Sequence, residues 1–409
     1  MRVTIWRLWA LALLGTALAA LPYAARAQVS GNVIKIGVMN DMSSLYSDIA
    51  GAKSVAAARM AVADFGGTVL GKKIEIISAD HQNKPDIGTG IVRKWIDEEG
   101  VDTVVDVPTS SVALAVQAVM REKNRVFLIS GAASSDLTGK SCSPRSVHWT
   151  YDTYALAHGT GGALVKQGGD TWFFLTSDYA FGHALEKDTA DAVKAAGGKV
   201  LGAVRHPFNG SDFSSFILQA QASKAKVIGL ANAGGDTINA IKQASEFGVV
   251  AGGQRLAGLL VFLTDVHSLG LKTAQGLVIT IPFYWDMNDE TRAFSKKFLA
   301  QPESKGIPPT FTVAGVYGEV THYLKAVKAA GTDEAGAVMA KMRELPINDF
   351  MTKNGSLRID GRVMRDMYLA QVKSPAESKY PFDYYKILAT IPRDEAFRPL
   401  KDGGCDLVK

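Results

Sequence analysis

The residues of this chain that could do chemistry are hydroxyl groups and small side chains gathered in two loops. Pro108-Thr109-Ser110-Ser111 opens a helical pattern, and Gly131-Ala132-Ala133-Ser134-Ser135 follows a short apolar run. Small side chains let a ligand approach the backbone, and serine hydroxyls beside helix N-terminal N–H groups suit a carboxylate. Ordinary helix capping by Ser110 or Ser135 is the competing reading. The histidines, His81, His148, His158, His183, His206, His267 and His322, include no pair at metal-ligand spacing. Neither a Gly-x-Ser-x-Gly elbow nor a Walker loop occurs. Gly159-Thr160-Gly161-Gly162 lies within a helical stretch, with Leu164 where a dinucleotide fingerprint needs glycine, and reads as close helix packing. Asp80, Asp106 and Asp178 stand near strand ends without forming an acid/base set. Neither enzyme chemistry, a metal nor a cofactor is expected.

Such loops need a scaffold, and strand-like and helix-like segments alternate from residue 33 onward. Strands are expected at 33–38, around Ile74 and Ile76, and at 103–107, 126–129, 172–176, 199–204, 227–230, 259–263, 277–281 and 367–372. Helices are expected over the face formed by Val55, Ala58, Val62 and Phe65, and at 112–122, 155–166, 184–196, 236–247 and 313–330. Gly66-Gly67 and Gly197-Gly198 stop two of them. Regular alternation of this kind means βαβ units and parallel sheets wound right-handed. The strands are too many for one compact sheet, so the α/β fold divides into two lobes near residue 150. Elements after Pro282 send the chain back to each lobe. A hinge and a cleft at the C-terminal ends of the strands follow, a geometry suited to closing on a small ligand.

With 409 residues, 47% hydrophobic and 21% charged, the chain is neither disordered nor collagen-like and has room for two cores. Residues 1–27 read as an export signal: Arg2 and Arg7, an apolar run from Leu8 to Leu21, then Ala25-Arg26-Ala27 before Gln28. That run, about 14 residues, is shorter than the roughly 20 that span a bilayer. An uncleaved anchor is the competing reading. Removing the segment takes away three arginines and no acid, leaving 42 basic and 40 acidic residues. No basic stripe suits nucleic acid, and stable membrane insertion of the mature chain is not expected. Export to an oxidising compartment favours joining Cys142 to Cys405 over two free thiols.

Taken together, these segments resemble the substrate-binding proteins of branched-chain amino-acid ABC transporters, the leucine/isoleucine/valine-binding type of periplasmic receptor. The resemblance spans residues 33–390. It rests on Ile34-Lys35-Ile36-Gly37-Val38, Gly51-Ala52 leading to Ala61-Val62-Ala63-Asp64, and Gly71-Lys72-Lys73-Ile74-Glu75. Asp80-His81-Gln82-Asn83-Lys84-Pro85, the Ser110-Ser111 loop, Ser135-Asp136-Leu137-Thr138 and Asp178-Tyr179-Ala180-Phe181-Gly182 continue it. It implies two Rossmann-like lobes joined by three crossover strands, a type I periplasmic binding protein fold. The first lobe takes 33–150 and 281–358, the second 151–280 and 359–390, and 391–409 form a C-terminal tail.

The resemblance further implies that Ser110, Ser111, Ala132, Ala133 and Ser134 hold a ligand carboxylate. Tyr46 is the aromatic of the first ligand loop, and Phe181, with Tyr154 and Tyr179 close by, supplies the second lobe. The sequence departs from the family where an amine would be met. Phe181 stands near a tyrosine position, Asn232-Ala233-Gly234 carries no aromatic, and the acid facing the ammonium falls near Lys272 by register with Gln275-Gly276-Leu277. Asp236 and Asp265 are the acids nearby. A buried ammonium without a carboxylate is costly, so an amine-free carboxylate, aromatic acids included, fits Phe181, Tyr46 and Phe283 as well as or better than leucine. The implied function is an exported receptor that delivers its ligand to the membrane subunits of an ABC permease. A sensor feeding a signalling partner, or an exported α/β enzyme, are the alternatives.

Overall fold

The computed structural model describes residues 29–408. The expected export signal and its cleavage point after Ala27 lie outside the described residues. Strand Val33–Asn40 is mostly apolar and buried from Ile36 onward, and sits inside a six-stranded sheet, as suits a strand covered by helices on either side. Its order is Thr68–Val69, Lys72–Asp80, Val33–Asn40, Thr103–Asp106, Val126–Ile129, Ser146–His148. All neighbours pair in parallel except the first two, which form a hairpin. A second sheet, wholly parallel, runs Arg255–Gly258, Val227–Ala231, Thr171–Ser177, Lys199–His206.

A third sheet departs from the all-parallel expectation. Val278–Ile281, Met367–Val372 and Tyr385–Ile391 pair antiparallel. The first of these leaves the second sheet's side and Met367–Val372 re-enters it, so the two passes run in opposite directions. Between them the chain returns to the first sheet. Helix Phe311–Ala330 packs on Gly51–Phe65 and Ala335–Glu344 packs on it in turn. Helix Thr153–Lys166 lies against Val278–Ile281 at Gly159, where a Cβ would meet Thr280 Oγ1 at 2.3 Å. Close packing thus accounts for Gly159, whereas Gly162 has open space where a Cβ would stand. Arg362, fully buried, donates to Tyr151 O at 2.8 Å, and His148 N–H donates to Gly361 O, binding one crossing to another.

The strand expected at 259–263 is a buried loop. The strand is Arg255–Gly258, and Leu263 opens helix Leu263–Leu269. Residues 259–262 are all buried; Leu260 and Phe262 wall a cavity, and Phe262 stacks on Phe311 with centroids 4.5 Å apart. Helices Pro85–Asp97, Ser214–Ala222, Asp289–Leu299 and Ala335–Glu344, and strand Tyr385–Ile391, add to the expected elements. Cys142 and Cys405 form a disulfide with Cα atoms 5.6 Å apart, tying the end of the chain to the loop after residue 138. Among the described residues no helix is long and apolar enough to cross a membrane.

Candidate functional site

Loops at strand ends of both large sheets converge on one cavity. Tyr46 and Ile49 follow Val33–Asn40; Pro108 follows Thr103–Asp106; Gly131 and Ala133 follow Val126–Ile129; Tyr151 follows Ser146–His148. From the second sheet come Tyr179 and Phe181, Ala233, and Leu260 with Phe262. This is the place where open α/β sheets bind ligands. Immediately before Pro108, Asp106 and Val107 hold φ of 77° and 54°. A β-branched residue pays for that conformation, and such strain persists where the surroundings over-determine it, commonly at ligand loops. Asn40 Nδ2 donates to Asp106 Oδ2 at 2.6 Å, and Asn40 Oδ1 accepts from the N–H of Gly51, so one side chain fixes two loops.

The loop 131–135 is held at every residue. Tyr151 donates its hydroxyl to Gly131 O at 2.7 Å, and His148 Nε2 donates to Ala132 O at 2.8 Å. Thr153 N–H donates to Ala133 O, and Ser135 N–H donates to Thr153 Oγ1. Ser110 does not cap its own helix. Its Oγ accepts from Ala133 N–H at 3.3 Å and Ser134 N–H at 3.2 Å, bracketing the two serine loops together. Both bonds are long, and the hydroxyl keeps its own proton to donate. A carboxylate arriving here would find the Ser110 O–H, and beside it two backbone N–H groups that would have to exchange their long bonds to Ser110 Oγ for it. Ser134 caps the turn Ser135–Thr138 through Asp136 N–H, and Ser111 is half-buried one residue into the helix.

The opposite wall is aromatic. Tyr46 and Tyr179 share a hydrogen bond across the cleft through their hydroxyls. Phe208 stacks edge-on to Tyr46 at 5.8 Å and lies 4.6 Å from Tyr179. Burial holds both phenols well above their ordinary pKa, so they act as neutral hydrogen-bonding groups. Gly234, φ 58°, stands against Leu45 and Tyr46 so closely that a Cβ would lie 3.0 Å from Leu45 O. The walls therefore touch, and the room left between them is about that of one water. Among the described residues lining this cavity none carries a charge.

Several expected residues lie elsewhere. Tyr154, the second residue of helix Thr153–Lys166, stacks on His158 in a separate polar cavity with Lys187, Asp188 and Arg398. Asn232 is turned inward, accepting from Thr237 Oγ1 and pairing with His206. Asp236 accepts from the N–H groups of Asn209 and Gly210, and burial pushes its pKa up to about 6. Phe283 packs with Phe294 and Phe350 rather than in the cleft. Lys272 lies in helix Leu271–Ala274 at the rim of an outer groove with Arg255 and Gln371. Asp265 is buried and bonds back to Phe262 N–H at 2.9 Å, capping its helix. Ile49, Tyr151, Leu260 and Phe262 were not expected in the wall; Ile49, Leu260 and Phe262 carry no polar signature, and the Tyr151 hydroxyl is engaged by Gly131 O.

Two sheets whose strand ends face one shared cavity, with the chain passing repeatedly between them, define a two-lobed ligand trap. Residues 33–379 match the family model described as periplasmic binding protein, so this chain belongs to that family, whose members are the solute-binding receptors of ABC transporters and not enzymes. A periplasmic binding protein of Burkholderia mallei is 53% identical, covering 92% of this chain and 100% of that one, with a TM-score of 0.90. A branched chain amino acid ABC transporter periplasmic ligand-binding protein of Burkholderia xenovorans is 39% identical over 92% and 100%, TM-score 0.82. The Leu/Ile/Val-binding protein homolog 6 of Brucella melitensis is 25% identical over 92% of this chain and 96% of its own length. A solute-binding protein of R. palustris in complex with benzoate shares the fold, with 21% identity over 91% and 99% and a TM-score of 0.79. The type I periplasmic binding protein fold expected from the sequence is the fold of the chain.

Proposed function

We propose that this receptor captures a small carboxylate that lacks an amine, aromatic acids included, and delivers it to the membrane subunits of an ABC permease after removal of its export signal. The observation that carries the reading is the composition of the cavity: tyrosines, phenylalanines and small residues, with Leu260 and Phe262 on the second-sheet side and no carboxylate among its described lining residues. An amino acid brings an ammonium whose burial without an anion costs several kcal/mol. Asp236 and Asp265, the acids nearest by sequence, already serve backbone N–H groups. The carboxylate end meets Ser110 beside the N–H groups of Ala133 and Ser134; an aromatic ring lies among Tyr46, Tyr179 and Phe181, which must move apart beyond the present one-water gap to hold it. The benzoate complex of the R. palustris relative supports a ligand of this class on the same fold.

Entry requires the lobes, 33–150 with 281–358 and 151–280 with 359–390, to part at Tyr46 and Tyr179. Ligand then favours the closed form through contacts available only there. A thermal-shift screen of the mature chain against amino acids and amine-free acids tests this. At one hundred times its Kd a ligand adds about 2.7 kcal/mol of stability. Shifts with benzoate or its hydroxylated analogues and none with leucine or valine are expected. The reverse pattern refutes the selectivity.

A further inference from the structure

A hydrogen-bonded cluster outside the ligand cavity joins the two sheets' sides of the molecule. Asp188, 8% exposed, sits in helix Ala180–Ala195, which packs on the second sheet. Its Oδ2 accepts from Ser135 Oγ at 2.8 Å and from Thr153 Oγ1 at 2.6 Å. Ser135 belongs to the first sheet's side, two residues beyond Ala133 of the cavity wall, and Thr153 stands where the chain has just crossed over. Ser135 O accepts from Arg398 Nη2 at 3.0 Å, and the segment carrying Arg398 is fastened to Cys142 by the disulfide. The same helix carries Phe181 at its cavity end, about 10 Å along the axis from Asp188. A rigid helix thus joins a wall of the ligand cavity to a carboxylate bonded across the lobes.

We propose that the Ser135–Asp188 bond is an interlobe latch that favours the closed form, making Asp188 a positioning residue that sets ligand affinity without touching ligand. Rotating the second sheet's side away draws helix Ala180–Ala195 from Ser135 and costs Asp188 that bond, while Thr153, bonded to Asp188, to Ala133 O and to Ser135 N–H, stands between the two sides. Replacing Asp188 lowers the closed population, and apparent affinity falls in proportion to the competent fraction. Removing Asp188 leaves buried hydroxyl donors without their acceptor, so a loss of about tenfold in affinity is expected.

The proposal rests on closure being the means of capture, so its test has one arm that needs no ligand. Small-angle scattering of the ligand-free chain compares wild type with Asp188→Ala; a larger radius of gyration is expected for the variant. Benzoate titration then measures Kd for wild type, Asp188→Ala and Asp188→Asn. The carboxamide oxygen of Asn still accepts from both hydroxyls, so Asp188→Asn should return to within about threefold of wild type. Unchanged scattering and Kd in Asp188→Ala, or an Asn variant as weak as the Ala one, would overturn the latch. If wild type does not bind benzoate, the ligand reading fails and the scattering arm alone decides the latch. Should Asp188→Ala not fold, Ser135→Ala removes the same bond from the other side.

Discussion

Gly234→Ala separates strain inside one lobe from contact between lobes. At φ 58° and ψ −133° the backbone of residue 234 is open to glycine and costs an L-residue about 1–2 kcal/mol. That cost is local to the start of helix Gly235–Glu246 and falls on open and closed forms alike, so the melting temperature drops by several degrees with or without ligand. The new methyl also stands 3.0 Å from Leu45 O and 3.2 Å from Tyr46 Cδ1, both across the cleft. A backbone carbonyl cannot swing aside as a side-chain tip can. Overpacking of this kind costs about 1–2 kcal/mol, here only in the closed form, which converts to roughly 5- to 30-fold weaker binding. Gly235→Ala is the control: its Cβ meets only Leu45 Cδ1, at 2.8 Å, a methyl that can rotate away. Calorimetric titration with benzoate should show the Gly234→Ala loss and leave Gly235→Ala within about twofold. A wild-type Kd in Gly234→Ala would mean that Gly234 and Leu45 do not meet in the bound form, and the closure argument would fail.

Burial pushes the Asp265 carboxyl up to about 7, with Asp48 adding to the effect and the Phe262 N–H opposing it. A raised carboxyl pKa means the folded chain binds the proton more tightly than the unfolded one. Its stability is therefore fully present below the ordinary aspartate pKa and is lost as pH rises through about 7. Asp265→Asn, which can still accept from Phe262 N–H, should raise the melting temperature more at pH 8 than at pH 5; an equal change at both would contradict the burial argument. The disulfide joins residues 263 positions apart. In the chain-entropy view a loop of that size is worth about 5–6 kcal/mol at most, so Cys142→Ser with Cys405→Ser should melt several degrees lower, whereas an unchanged melting curve would show the bond contributes nothing to stability.

The alternation of strands and helices was legible because buried parallel strands are continuous apolar runs and their helices keep one apolar face. The same rule misled at 259–263. Leu259-Leu260-Val261-Phe262-Leu263 is as apolar as a strand but is buried as cleft wall, while the true strand, Arg255–Gly258, is short and contains only one large apolar residue, Leu256. Counting back from Gln275–Leu277 then assigned the ammonium-facing position to Lys272, which lies on an outer rim; the loop that does reach the cavity presents Leu260 and Phe262. The absence of an acid in the wall is thus found at different residues from those first considered. The serine loops were readable because small and hydroxyl residues cluster there, yet the role of Ser110 as a bracket between loops depends on tertiary contact with Ala133 and Ser134. Helix Asp289–Leu299 had a usable signal, the reciprocal cap between Asn288 and Thr291, and Pro85 at the first turn marked another.

The central claim, a receptor whose aromatic cavity accepts a carboxylate and excludes an ammonium, is tested most directly by paired calorimetric titrations of the mature chain with benzoate and with leucine. Saturable heat with benzoate and none with leucine is the predicted result. Saturable binding of leucine without benzoate would contradict it, because the chain would then bury an ammonium in a cavity whose described lining residues carry no charge.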